Sequence, residues 1–245
     1  MRVSVSAVIA VSGRSLLRDP FLRLMAVMPI VVALAFRLLV PVADAALTRA
    51  VDPKVFQLRE YYPIVSAFLI QLAGMFAGGV AGFSLLEDTD EGILSAMAVT
   101  PLGTGGYIAS RLVFPGFAAT VGSAVVVPLS GLHSPAPASF ICAVIAAAPL
   151  APSVALLLSG LAGNKVEGLA VFKLLGLLFL GPLVVLLPES LHFVGWPLAS
   201  YWAARAYLAS VPAAAGYAAL SVICSLVYGC IAWRFSCHFP RGSVE

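Results

Sequence analysis

Charge is the scarcest property of this chain: Lys, Arg, Asp and Glu together make up 10% of its 245 residues, against about 25% in an average soluble protein. Hydrophobic residues make up 61% and mean hydropathy is +1.04. One soluble core of this length could not bury so much apolar surface, so a water-soluble globular fold is excluded. Cysteine is also sparse. The four cysteines contain no CxxC pair, and none falls in an expected external loop, which removes a disulfide framework. Cys142, Cys224 and Cys230 read as small apolar packing residues. Cys237 beside His238 is too small a ligand set for zinc. The three histidines, at 133, 192 and 238, lie far apart and make no catalytic group. Basic residues form no continuous patch, so nucleic acid is not an expected partner. A GxxxxGK[ST] phosphate loop is missing too. Its nearest approach, "GLAGNKV" (Gly160 to Val166), has neither the spacing nor the Ser/Thr, and no nucleotide hydrolysis is assigned to this polypeptide. A cleavable signal peptide is not expected, because "VSVSAVIAV" is short and is followed by Arg14 and Arg18 without a small-residue cleavage site. Val5, Val8 and Ile9 there fit either one face of a membrane-surface helix or a frayed tail.

What the chain does have is long uncharged runs, each near the roughly 20 residues that cross the hydrocarbon layer. Six are expected to span it: about Phe21 to Ala46, Tyr62 to Leu86, Tyr107 to Leu132, Phe140 to Ala162, Leu169 to Leu187 and Ala213 to Trp233. Pro29, Pro115, Pro149 and Pro182 predict kinks whose lost hydrogen bonds neighbouring helices supply. The fold expected is therefore an all-α integral membrane protein, with residues 1–245 as one transmembrane domain. Lysine and arginine set its orientation. With the N-terminus inside, Arg2, Arg14, Arg18, Arg23, Arg111, Lys165, Lys173, Arg234 and Arg241 lie inside, and Arg49, Lys54, Arg59 and Arg205 outside. Both termini are then cytoplasmic and the protein is multi-pass in a cytoplasmic membrane. Between the last two spans, "PESLHFVGWPLASYWAARAYLASVP" fits a re-entrant pair of short helices in the outer leaflet, broken at Gly195 to Pro197, or a plain aromatic anchor built on Trp196, Tyr201, Trp202 and Tyr207.

Against this background, "LLEDTDEGILSAMAVTP" (Leu85 to Pro101) stands out, with Glu87, Asp88, Asp90 and Glu91 inside five positions. Asp88 and Glu91 have capping-box spacing, and acids favour the positive end of a helix. Helix-spaced Leu94 and Met97, then Ile93 and Ala98, follow before Pro101 stops the element. The expectation is a short cytoplasmic helix with an acidic start and an apolar side that faces a partner's groove, or else a solvated loop.

The order "LLEDTDEGILSAMAVTPLGTGGYIASRL" resembles the loop of type-2 ATP-binding cassette (ABC) exporter permeases: an acid closing the second span, then [ST]-P-L, then Y-x-x-[SG]-[RK], here Tyr107, Ser110 and Arg111. "AGNKVEGLAVFKLLGLLFLGP" (Ala162 to Pro182) and "RDPFLRLMAVMPI" resemble the corresponding parts of actinobacterial drug-export permeases, including the fluoroquinolone-export type. That resemblance implies a coupling helix at Glu87 to Pro101, comprising Glu87, Asp88, Asp90, Glu91, Ile93, Leu94, Met97 and Pro101, docked on a separate ABC ATPase. It implies ATP and Mg held by that ATPase and no cofactor or metal held by this chain. It further implies a second permease subunit, identical or not, a surrounding of membrane lipid, and export of a hydrophobic or amphiphilic, drug-like substrate.

Fewer functional readings attach to the remaining polar residues. Asn164, Lys165, Glu167 and Lys173 form a second cytoplasmic contact or gate, or Lys173 simply anchors its span. Arg37 lies roughly 15 Å from the outer end of the first span. It snorkels, with Asp44 as a helix-face partner, or faces a substrate path. Gln71 is interhelical glue or a substrate contact. Gly74, Gly78 and Gly82, at i, i+4 and i+8, form a packing face. Two rival functions remain open. Asp88-x-Asp90 could hold Mg in a membrane lipid or prenyl transferase, although no second acidic motif accompanies it. An ion-gradient transporter would need repeated halves and mid-span acids, which the sequence does not display.

Overall fold

The computed structural model describes residues 19–50, 56–101 and 103–238, with side chains to residue 234. The proposed N-terminal surface helix and the Cys237–His238 pair therefore lie outside the described side chains. The described chain is built from helices. These are α1 (Pro20–Ala50), α2 (Tyr62–Asp90), α3 (Ile93–Ala98), α4 (Gly103–Ser130), α5 (Pro137–Ala147), α6 (Leu150–Leu161), α7 (Lys165–Leu175), α8 (Gly181–Val184), α9 (Ala199–Leu208) and α10 (Val211–His238). Short 3-10 turns sit at Leu58–Tyr61, Gly176–Phe179 and Glu189–Gly195. Six helical stretches are long and apolar enough to cross a membrane, which makes this a multi-pass membrane protein. They are α1, α2, α4, the α5–α6 pair, the α7–α8 pair and α10.

Two spans are broken where the sequence withholds a backbone donor or a side chain. The fourth breaks at Ala148 and Pro149, since proline has no N–H to continue the ladder. Just beyond that break the Ser153 hydroxyl donates to the Ser225 carbonyl, 2.7 Å away on α10. The fifth passes through a 3-10 turn to Gly181, where a Cβ would lie 2.2 Å from the Tyr201 amide nitrogen; only glycine lets α8 approach α9 so closely.

Lipid supplies little hydrophobic drive between helices, so close packing of small residues must hold the bundle together. The second and fourth spans form its inside, with more than half of each buried, against less than a third of the other four. The glycine face of α2 lies against that fourth span. A Cβ on Gly74 would come 3.3 Å from the Ala147 carbonyl, on Gly78 2.5 Å from the Ala151 carbonyl, and on Gly82 2.7 Å from Leu158 Cδ2. Cys230 faces outward instead of packing inside, while Cys142 and Cys224 are partly buried.

Between the fifth and sixth spans, the chain is helical on both sides of a break at Trp196 to Leu198. This is the region expected to interrupt the connection. The second of these helices, α9, is largely buried and packs on α10 and α5. Tyr228 of α10 donates a hydrogen bond to the Pro197 carbonyl, and Ser200 donates to the Leu178 carbonyl, so both neighbouring spans hold the break.

Candidate functional site around the second and third spans

The four acids of Glu87 to Glu91 do not head the short helix. α2 continues through Asp90, and α3 begins at Ile93 after Gly92, which adopts φ 73° and provides no side-chain cap. The expected capping box is therefore absent. The acids instead end a helix, where the macrodipole disfavours them. Specific cations offset that cost for the first two. Both Asp88 carboxylate oxygens accept from Arg111 Nη2, at 2.8 and 2.7 Å, and Oδ2 also accepts from the Tyr107 hydroxyl at 2.9 Å. Arg111 Nε in turn donates to the Tyr107 oxygen at 3.1 Å. The Asp88 and Arg111 side chains are each only 8% exposed, so the pair is a buried bond between the end of α2 and the start of α4.

Glu87 accepts from Lys165 at the start of α7, and the same ammonium donates to Asp19 Oδ2 at 2.8 Å. One lysine thus joins the beginning of α1, the end of α2 and the beginning of α7. The Asp19 carboxyl also accepts from the Phe21 amide at 2.7 Å. The Lys165 hydrogen bond, aided by that amide, draws its pKa from 3.8 down to about 2. Asn164 and Glu167, expected at a gate or partner contact, serve the backbone locally. Asn164 accepts from the Val166 and Glu167 amides and so caps α7, and Glu167 accepts from Gly163 N. Lys173 is exposed.

A second correction concerns the apolar side of α3. Leu94 is half-buried and packs against the cluster of Leu85, Ile108, Leu156 and Ala232. This side of Leu94 is turned to the bundle. Ile93 and Met97 are also partly covered, whereas Asp90, Glu91, Ser95, Ala96, Ala98 and Pro101 are exposed and Val99 is 89% exposed. The outward surface of this element is thus two acids followed by small residues and one valine.

Asp88 and Asp90 are two positions apart on one helix, which sets them on different sides. One is buried on Arg111 and the other exposed, so this DxD does not converge on a cation. At the opposite end of the bundle, Arg37 Nη1 donates to the Leu129 carbonyl at 3.1 Å, and Asp44 pairs with Arg59 rather than with Arg37. Gln71 is fully buried and donates to the Ala67 carbonyl of its own helix, so it forms no bridge to another span among the described residues. His133 Nδ1 lies 3.0 Å from the Tyr207 hydroxyl, and burial lowers the imidazole pKa.

An apolar groove of about 260 Å³ runs between α1, α2 and α4, with Ser84 and Arg111 contributing polar atoms to its lining. Neither Arg37 nor Gln71 lines it. The buried Asp88–Arg111–Tyr107 cluster was not singled out in the sequence. Its signal was the i, i+4 placement of Tyr107 and Arg111 at the head of an apolar run.

The profile described as "Fluoroquinolones export permease protein Rv2686c-like" matches residues 12–235. Two proteins of Mycobacterium tuberculosis are named fluoroquinolones export permease proteins: MT2760 of strain CDC 1551 / Oshkosh and Rv2686c of strain ATCC 25618 / H37Rv. Each is 32% identical over 203 residues, covering 79% of this chain and 77% of its own length.

Proposed function

The chain belongs to the Rv2686c-like family of fluoroquinolones export permeases, and from that premise we propose that it is the membrane subunit of an ABC exporter of amphiphilic, drug-like molecules. ATP and Mg are handled by a separate ATPase, and the permease works as a dimer, with itself or a sister chain, in the cytoplasmic membrane of a bacterium. The end of the bundle carrying α3 is the cytoplasmic one, in accord with the excess of Lys and Arg there.

One observation carries this reading: α3 is suspended between two spans whose ends are bonded to each other. Leu94 seats it on the bundle, and Asp88–Arg111 ties its two legs together. Asp90, Glu91, Ser95 and Val99 form the surface on which an ATPase docks. A push on that surface cannot be absorbed by sliding α2 against α4, because separating a buried, hydrogen-bonded charge pair is costly. The displacement passes instead to both spans, and through Glu87 and Lys165 to α1 and α7. Lys165 is thereby the gate-side link among the residues Asn164, Lys165, Glu167 and Lys173.

The test is co-purification of the tagged permease with its co-expressed ATPase. Val99→Arg and the Asp90→Lys/Glu91→Lys double variant are expected to lose the ATPase while keeping the wild-type elution profile. If both retain it, α3 is not the docking element.

A further inference from the structure

We infer that the groove between α1, α2 and α4 is a binding site for a compact aromatic amphiphile, with its hydrogen-bonding end against Ser84 and Arg111. The inference rests on the exporter reading and names where the substrate sits before it is moved.

The groove exists because the helices that form it carry small residues where they face one another. Ala73, Ala77 and Ala81 recur at i, i+4 and i+8 along α2 and make one wall, while Ala118 on α4 leaves room opposite. Behind it Gly122 closes the gap: a Cβ there would lie 3.1 Å from Ala73 Cβ. Ile30, Val121 and Val125 also line the groove and are themselves 44%, 46% and 47% exposed, so it opens on the flank of the bundle. An apolar solute dissolved in the membrane can enter without crossing water.

Polarity is confined to Ser84 and Arg111. Ser84 is only 7% exposed, yet its hydroxyl has no hydrogen-bond partner among the described residues. Other helix serines here donate to a carbonyl one turn back, as Ser153 does to Pro149 and Ser225 to Ser221. Unlike Ser66 Oγ and Gln71 Oε1, which are shut away without a partner among the described residues, the Ser84 oxygen keeps some accessible surface and so can be reached by a partner in the groove. Arg111, 8% exposed, lies on the same lining, with its guanidinium held by Asp88 and Tyr107. A fixed guanidinium beside a hydroxyl suits an acceptor-bearing head, such as a carboxylate or ketone. The volume of about 260 Å³ lies just below the roughly 300–1,000 Å³ of small-molecule sites, so it holds one ring system better than a two-chain phospholipid. The same arginine anchors the loop carrying α3, and an occupant touching it therefore contacts the element on which the ATPase acts.

The experiment is equilibrium binding of a fluoroquinolone to the purified full-length permease in lipid nanodiscs, with no ATPase present. Ser84→Ala is expected to weaken saturable binding about 3–10-fold, the worth of one hydrogen bond. Filling the groove with Ala118→Phe is expected to weaken it at least ~10-fold. Val113→Phe, on an exposed part of α4 away from the groove, leaves it unchanged. Folding of each variant is checked by elution profile and unfolding midpoint. The inference is overturned if the wild-type chain shows no saturable binding, or if both groove variants bind within about twofold of wild type. It is equally overturned if native mass spectrometry finds a phospholipid lost on Ala118→Phe while fluoroquinolone binding persists. ATPase co-purification, measured on the same variants, separates the two ideas. Retained ATPase with unmoved drug binding removes the groove alone. Groove-sensitive drug binding with no ATPase partner removes the exporter reading alone.

Discussion

Arg111 and Asp88 are buried together and hydrogen-bonded to each other. Removing Arg111 takes the charged partner of Asp88 out of a low-dielectric site, which costs about 3–5 kcal/mol, whereas replacing both with apolar groups is often neutral. Arg111→Met should therefore lower the thermal unfolding midpoint of the purified protein strongly, and Asp88→Leu/Arg111→Met should recover most of the loss. An additive double variant would mean that the pair is not an energetic unit. The glycines of α2 respond differently. Gly78→Val must push the Ala151 carbonyl and Val154 aside and is expected to cost about 1–3 kcal/mol as an overpacked seam. Gly74→Ala meets its nearest atom at 3.3 Å and should cost less in the same melt. The glycine spacing was visible in the sequence because i, i+4 repetition is a property of one helix. The partner of Asp88 was not visible, because Arg111 lies 23 residues away and only the turn between α2 and α4 sets them face to face.

At the level of elements, the short helix after the second span was expected, but its polarity was inverted. The acids were assigned to its start because dipole logic favours them there, and the structure places them at the end of α2. Two cations from other helices outweigh a dipole interaction worth about 0.3–1 kcal/mol. Leu94 turned inward for a related reason: Leu85, Ile108 and Trp233 leave an apolar seat beneath α3. Leu94→Arg is thus expected to unseat the helix and lower the unfolding midpoint as well as ATPase capture, whereas Val99→Arg should affect capture alone. The Lys165 link has a pH signature. Asp19 is depressed from 3.8 to about 2, so its contribution to stability is fully present above pH 3.8 and is lost as pH falls through about 2. In Lys165→Met the lysine's share of that contribution, the larger one, is missing at every pH. The gap between the two proteins' unfolding midpoints should therefore narrow across this acid window, and a constant gap would remove Asp19 from the link.

Across the whole molecule, the ion pairs of Asp19, Glu87, Asp88, Arg111 and Lys165 gather at one end of the bundle. The pairing of Asp44 with Arg59 and the contact of His133 with Tyr207 lie at the other end. Membrane sidedness follows from labelling either end. In a variant with its native cysteines replaced by alanine, a cysteine at Val99 should react with an impermeant maleimide only in inverted vesicles. A cysteine at exposed Ser134 should react only in intact cells. The opposite pattern would invert the orientation and remove the ATPase from α3. The buried position of α9 makes that helix part of the packed bundle.

The number of spans, their approximate limits and the glycine seam were determined by the sequence alone. Crossing a bilayer is a requirement on local length and hydropathy, and a packing face is a local period. The direction in which each charge points was decided only by the tertiary structure. So were the close approach of the fifth span to α9 at Gly181, the inward seat of Leu94 and the groove with its unpartnered Ser84. A buried ion or hydroxyl finds its energy in residues far along the chain, and no local pattern states which of them will be near.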